Sequence, residues 1–313
     1  MHLTMMHMGI IIATLVCVIG IGIYSSRSVR SAAGYSVGGR SAGAPLVAGS
    51  IAGTVVGGGA TVGTAQLAYH FGLSAWWFTL GSGIAFIIMG LFYAKKMRGT
   101  GLETIPQFLA MHYGKKAEEL SSVISSIGIL FSAVASCLPG IEIVAEVFHV
   151  DAYTASALLV LLVAAYTFFG GMKSAGIGGI GGLTLGIGTM ITRDMIVPLC
   201  RMTDDRKMLT VNKLTVLFVM LLACFIAILN RGSEVLFWTY ISMALRGGGI
   251  FLPLTLAVFW PGHVKRGWAV LSMLGSTAAS LLTATVVKLT IDPLFVGLIV
   301  SALLLLPGIR LKK

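Results

Sequence analysis

The groups best placed to do chemistry in this sequence are main-chain oxygens rather than side chains. Residues 49–81 read GSIAGTVVGGGATVGTAQLAYHFGLSAWWFTLG, apolar and Gly-rich, with Thr54, Gly57, Gly58 and Gly59 near the centre. A glycine cluster in the middle of a hydrophobic run interrupts a helix, and the carbonyls freed there can coordinate a cation. The same small residues also serve close helix packing, the reading that periodicity alone favours. Among side chains, Glu142 and Glu146 are spaced i, i+4 and share a helix face. Ionisable residues inside apolar runs are functional candidates; the last turns before a polar loop suit a wetted interface equally well. Arg246, in LRGGG, is expected to face protein or the carbonyl end of a half-helix. Gln66, Tyr69, Trp76 and Trp77 fall near the ends of their runs, where aromatic residues form interfacial belts. His7, His70 and His149 have no ligand partners in the sequence, and nothing reads as a metal site. HExxH, a GxxxxGK[ST] loop and mid-run carboxylate pairs are missing, which argues against a membrane-embedded enzyme.

The elements that must position these groups are membrane helices. Mean hydropathy is +0.95 and only 11% of the residues are charged, against about 25% in a soluble domain. This is an all-α polytopic membrane protein. Its 40 glycines fit that class, since Gly is commoner in membrane helices than in soluble ones. The net charge of +11 falls in short clusters between apolar runs and not in a basic patch interleaved with aromatics, so nucleic acid is excluded as a partner. Cys17, Cys137, Cys200 and Cys224 lack metal spacing and read as small buried thiols.

A span needs about 20 mostly apolar residues. The candidates are 5–24, 45–69, 72–94, 119–147, 153–170, 211–230, 235–260, 267–288 and 292–309. The first has no basic residues before it and no small-residue cleavage site after it, so it reads as an uncleaved span with its N-terminus outside. Pro139-Gly140 predicts a kink or break in 119–147. The segment 174–190 holds seven Gly in seventeen residues and no charge, a poor helix at roughly 1 kcal/mol per Gly relative to Ala.

Charge placement decides how 174–190 runs. If it does not cross, then Arg27, Arg30, Arg40, Lys95, Lys96, Arg98, Lys115, Lys116, Lys173 and the basic residues at 193–213, 265–266 and 310–313 share the cytoplasmic side. If it crosses, the second half of the chain inverts and most of its positive charge faces out. The positive-inside bias selects the first arrangement. The segment is therefore expected to be re-entrant or shielded, because non-helical backbone at membrane depth survives only where protein or a wet cavity covers it.

Six stretches, in chain order, together resemble the sodium:solute symporter family: YSVGGRS (35–41), IAGTVVGGGATVGTAQLAYHFGL (51–73), LETIPQFLAMHYGKK (102–116), AYTFFGGMKSA (165–175), LTLGIGTMITRDMI (183–196) and ISMALRGGGIFLPL (241–254). The resemblance implies an incomplete version of the five-plus-five inverted-repeat sodium symporter fold, with about nine spans plus one Gly-rich re-entrant segment. It is incomplete because a far longer stretch separates GGMKS from TRD in the family, so core helices five to seven and the start of eight are missing here. The whole is a single transmembrane domain over 1–313: an extra N-terminal span and loop (1–40), first-repeat-like helices (41–173), the Gly-rich junction (174–192) and C-terminal helices (193–313).

The resemblance also implies sodium-coupled symport of a small-molecule solute across the plasma membrane, with the C-terminus cytoplasmic. Its coupling ion is sodium, its surroundings are the lipid bilayer, and it uses no organic cofactor. The sodium-binding positions it implies are the carbonyls of Gly53 and Val56, and Gly178 and Gly179 where the family carries hydroxyls. Thr54, Gly57, Gln66 and Glu142 are the candidate solute-pathway residues. The alternative is a transport-incompetent truncated relative acting at most as a membrane scaffold.

Overall fold

A computed structural model describes residues 5–26, 31–38, 43–172, 179–287 and 291–310. The helices are, in order, α1 (Met5–Ser26), α2 (Ala32–Val37), α3 (Ala44–Val55), α4 (Thr64–Phe71), α5 (Trp76–Ile88), α6 (Lys95–Gly99), α7 (Ile105–Tyr113), α8 (Lys115–Phe148), α9 (Ala152–Gly170), α10 (Gly179–Met190), α11 (Val197–Cys200), α12 (Asp205–Leu229), α13 (Val235–Met243), α14 (Gly249–Phe259), α15 (Arg266–Thr285) and α16 (Pro293–Leu305). Wider, π-helical turns join several of them: Gly59–Gly63 before α4, Met89–Ala94 before α6, Ile191–Ile196 before α11 and Ala244–Gly248 before α14. Six of the continuous helical stretches are long and apolar enough to cross a membrane, and shorter apolar helices lie at Gly9–Gly20, Ala152–Phe168 and Pro293–Gly308.

One core cluster joins the middle of α8 to α9 and α12 through residues such as Val134, Cys137, Leu159, Met220 and Ala223. A second joins α7 and the start of α8 to α14, α15 and the end of α16, with Leu109, Ala117, Val258 and Met273 at its centre. Small side chains close the last pair of helices: Ser272 Oγ and Ser301 Oγ are 2.8 Å apart across α15 and α16, the kind of contact that lets membrane helices approach.

Tertiary contacts give the bundle two distinct ends. At one, the Ala32 N–H donates to Asp205 at 3.0 Å, Tyr35 donates to the Thr167 carbonyl at 3.2 Å and Thr104 donates to Asp194 at 3.0 Å. This α7 end therefore gathers α2, the close of α9, the exit of α10, and the starts of α8 and α12. At the other, Arg231 pairs with Glu142 at 3.0 Å, and Gln66 accepts from the Val235 N–H at 3.3 Å.

Two expectations are corrected. The first is the break at Pro139-Gly140: α8 is continuous helix from Lys115 to Phe148 with Pro139 inside it. Proline cannot donate to the carbonyl four residues back, here that of Ala135, and Gly58 lies against that oxygen: a Cβ at Gly58 would stand 2.5 Å from it and 2.6 Å from Pro139 Cγ. The proline leaves a notch, and backbone from the neighbouring chain segment fills it. The second concerns the Gly-rich junction. From Gly179 it is helix, continuing through the π turn to Cys200. Glycine's helix penalty is offset by contacts no other residue permits. A Cβ at Gly182 would collide with the Thr54 side chain, and one at Gly188 with Val216; one at Gly181 would stand 2.8 Å from Thr167 Oγ1. The chain leaves α9 at the α7 end, resumes at Gly179 beside Gly57, and returns to the α7 end at Asp194. Residues 173–178, Gly178 among them, lie outside the described residues.

Candidate functional site

The site is built where α3 stops. Its last ladder bond runs from the Val56 N–H to the Ala52 carbonyl, and Val56 turns to φ −78°, ψ 59°. The carbonyls of Gly53, Thr54 and Val55 therefore lie past the end of the ladder. Chain direction resumes when the Gly57 carbonyl accepts both the N–H and the hydroxyl of Thr61, at 3.1 and 2.9 Å. Two of the freed oxygens face the first residue of α10: a Cβ at Gly179 would stand 3.6 Å from the Gly53 and Thr54 carbonyls and 3.2 Å from Gly57 Cα. The structure thus brings Gly53, Thr54, Gly57 and Gly179 together. The oxygens nearest Gly179 are those of Gly53 and Thr54 rather than Val56, whose residue sits 60% exposed at the break. Any side chain at 179 would press on Gly57, which would have to give by a few tenths of an ångström to admit it.

Beside the break, a cavity of about 680 Å³ reaches from Thr54 and Val55 to Glu103, Thr104 and Ile105 at the α7 end. Its walls are the C-terminal half of α3, the middle of α8, α10 and the first half of α14. Thr184, on α10, spends its hydroxyl on the Ile180 carbonyl at 2.9 Å. Thr189, five residues nearer the α7 end, lines the cavity with a buried hydroxyl that has no partner among the described residues. Arg246 also lines the cavity, carried on the π turn that joins α13 to α14.

The mouth is tied by a polar cluster. Asp194 accepts from Thr104 Oγ1 at 3.0 Å and from Gln107 Nε2 at 2.9 Å, and the neighbouring Arg193 pairs with Glu103 at 3.0 Å. Thr104 also caps α7 by accepting the Gln107 N–H. The three ties between α7 and the exit of α10 were not legible as a site in the sequence, because their partners are about ninety positions apart. The LETIPQF and Thr192-Arg193-Asp194 stretches were their trace.

The remaining pathway candidates fall elsewhere. Gln66 accepts the Val235 N–H at the start of α13. Glu142 pairs with Arg231 at the far end of the bundle, both about half exposed, away from the cavity-lining residues. Tyr69, Trp76 and Trp77 are strongly exposed on the outside of the bundle.

An unwound span, with its carbonyls turned toward a partner helix at the head of a cavity, is the geometry of an ion-coupled transporter. Residues 35–177 match the profile of the "Sodium:solute symporter family". Over that segment, under half of the chain, the sequence is similar to the sodium:solute symporter family. Similar proteins include the high affinity choline transporter 1 of Homo sapiens, 31% identical over 140 residues. The high-affinity choline transporter 1 of Torpedo marmorata is 30% identical over 143 residues. Each alignment takes in 44% of this chain and 24% of the transporter, so the matched segment spans about a quarter of the length of these relatives. Among solved structures, a Na+-coupled sialic acid symporter in a substrate-bound outward-open state superposes with a TM-score of 0.76. That match covers 96% of each chain at 12% identity, a likeness of fold.

Proposed function

We propose that this chain is a sodium-coupled symporter of a small-molecule solute in the plasma membrane, with its N-terminus outside and the α7 end in the cytoplasm. The observation that carries this reading is the pair of freed carbonyls at Gly53 and Thr54, facing Gly179 at the head of the cavity. Oxygen ligands suit a hard cation, and unwound backbone is tolerated at membrane depth where it lines a cavity. Lys95, Lys96, Lys115, Lys116, Arg193, Arg201, Arg206, Lys207, Lys265 and Arg266 lie on or beside the elements of the α7 end, which the positive-inside bias puts in the cytoplasm. Solutes to be weighed include a quaternary ammonium, the class named for the two choline transporters.

A second reading is a shortened relative that folds and does not transport. It is favoured by one observation: Gly179 offers no hydroxyl where the resemblance implies one. The melting temperature of the detergent-purified chain in sodium, potassium and N-methylglucamine chloride at equal ionic strength separates the two. A ligand that binds only the folded state stabilises it by RT ln(1 + [L]/Kd). The symport reading expects a sodium-specific rise of a few degrees, followed by sodium-gradient-driven uptake in proteoliposomes. Identical curves in all three salts overturn it and leave the scaffold.

A further inference from the structure

Arg246 is a charged side chain that the ion-coordinating geometry does not use. It projects from the π turn Ala244–Gly248 into the cavity. Such wide turns inside helices recur at functional sites because they displace a side chain from the regular helical register. Room for the arginine is made by a glycine on α8: a Cβ at Gly128 would stand 2.8 Å from Arg246 Cγ. The head group is then fixed on one side only. Nε donates to the Ser242 carbonyl at 3.3 Å, and Nη2 donates to Ser132 Oγ at 3.2 Å and Ser242 Oγ at 2.8 Å. All three acceptors are neutral, and Nη1 has no acceptor among the described residues. Of the described residues lining the cavity only Glu103 and Arg246 carry charge, and Glu103 pairs through Oε1 with Arg193 at 3.0 Å. The cavity therefore holds one positive charge without a counter-charge.

We infer that Arg246 is the binding group for the carboxylate of a small organic anion, which makes the solute of this cavity an organic carboxylate rather than a cation. Guanidinium is always charged, and its N–H donors make strong, charge-assisted hydrogen bonds to a carboxylate. Ser242 and Ser132 take up Nε and Nη2 and leave the two N–H groups of Nη1 for the ligand. A cation placed in the same space meets uncompensated like charge. The volume of about 680 Å³ falls within the range of pockets for small ligands, and the unpartnered hydroxyl of Thr189 supplies a further polar contact on the α10 wall. The inference rests on the symport reading for the movement of that carboxylate, and binding is measured apart from movement.

The test is thermal unfolding of the detergent-purified chain at fixed sodium with added lactate, pyruvate, succinate, chloride or choline, for the wild type, Arg246→Lys and Arg246→Gln. At least one carboxylate is expected to raise the wild-type melting temperature by a few degrees. That shift shrinks in Arg246→Lys, which keeps the charge and loses the serine-held Nη1 donors, and disappears in Arg246→Gln. The sodium response stays in all three, because Arg246 is not placed at the Gly53–Thr54 carbonyls. The inference is overturned if choline alone stabilises the wild type, if chloride matches the carboxylates, if no carboxylate acts on it, or if Arg246→Gln keeps the full shift. The wild-type panel decides even where a variant does not fold. A chain that binds a carboxylate without any sodium effect or uptake keeps this inference and loses the symport reading.

Discussion

Glycine divides into two kinds in α10, and the difference is tertiary. At Gly188 an added methyl would collide with Val216 and meet Asn212 Oδ1 at 3.2 Å, whereas at Gly186 nothing lies within 4 Å because the position opens on the cavity. Gly188→Ala is therefore expected to destabilise the chain by about 1–3 kcal/mol, the cost of overpacking a close helix contact. Gly186→Ala is expected to be neutral or stabilising by up to ~1 kcal/mol, from helix propensity alone. Thermal unfolding of the two variants in detergent checks the pair; equal losses would mean that α10 does not pack on α12 as described. From the sequence both are glycines in one low-complexity run, and no spacing rule separates them.

Among elements, the tie between α10 and α7 holds the mouth of the cavity. Asp194 is buried and receives donors from Thr104 and Gln107, which bracket the first turn of α7. Removing its carboxylate leaves two donors without their acceptor, and Asp194→Ala is expected to cost about 1–3 kcal/mol. Asp194→Asn, which keeps one carbonyl acceptor, is expected to cost less. Glu103→Gln should cost no more than about 1 kcal/mol, because its partner Arg193 keeps some solvent contact. Chemical denaturation of the three variants orders them; Glu103→Gln emerging as the worst would overturn the assignment of Asp194 as the main tie. The sequence marks both participating segments through their resemblance to one family. It does not reveal that they meet, because the contact joins residues far apart in the chain.

For the molecule as a whole, the two ends carry different charge and different access. Ile105 lies at the mouth of the cavity and Tyr69, 88% exposed, lies at the opposite end. Single cysteines at these positions, in a background with Cys17 and Cys200 changed to Ser because both are exposed, are expected to react with an impermeant maleimide from opposite sides of the membrane. Tyr69→Cys should label in intact cells and Ile105→Cys only in inverted vesicles. Labelling of both from one side would show that the α3–α4 segment does not cross.

The sequence by itself determined the class of the molecule. Hydropathy and low charge required membrane helices, and the mid-run glycines at 57–59 placed the interruption of α3. These are local or additive properties, and each can be read one residue at a time. The tertiary structure decided the rest. It turned a glycine run that looked too weak for a helix into α10, because neighbouring helices approach where side chains cannot fit. It kept α8 helical through Pro139, with Gly58 set against the freed carbonyl. It also left Arg246 in a cavity with only neutral partners. Each of these outcomes depends on which distant residue arrives at the contact, and chain order alone does not carry that information.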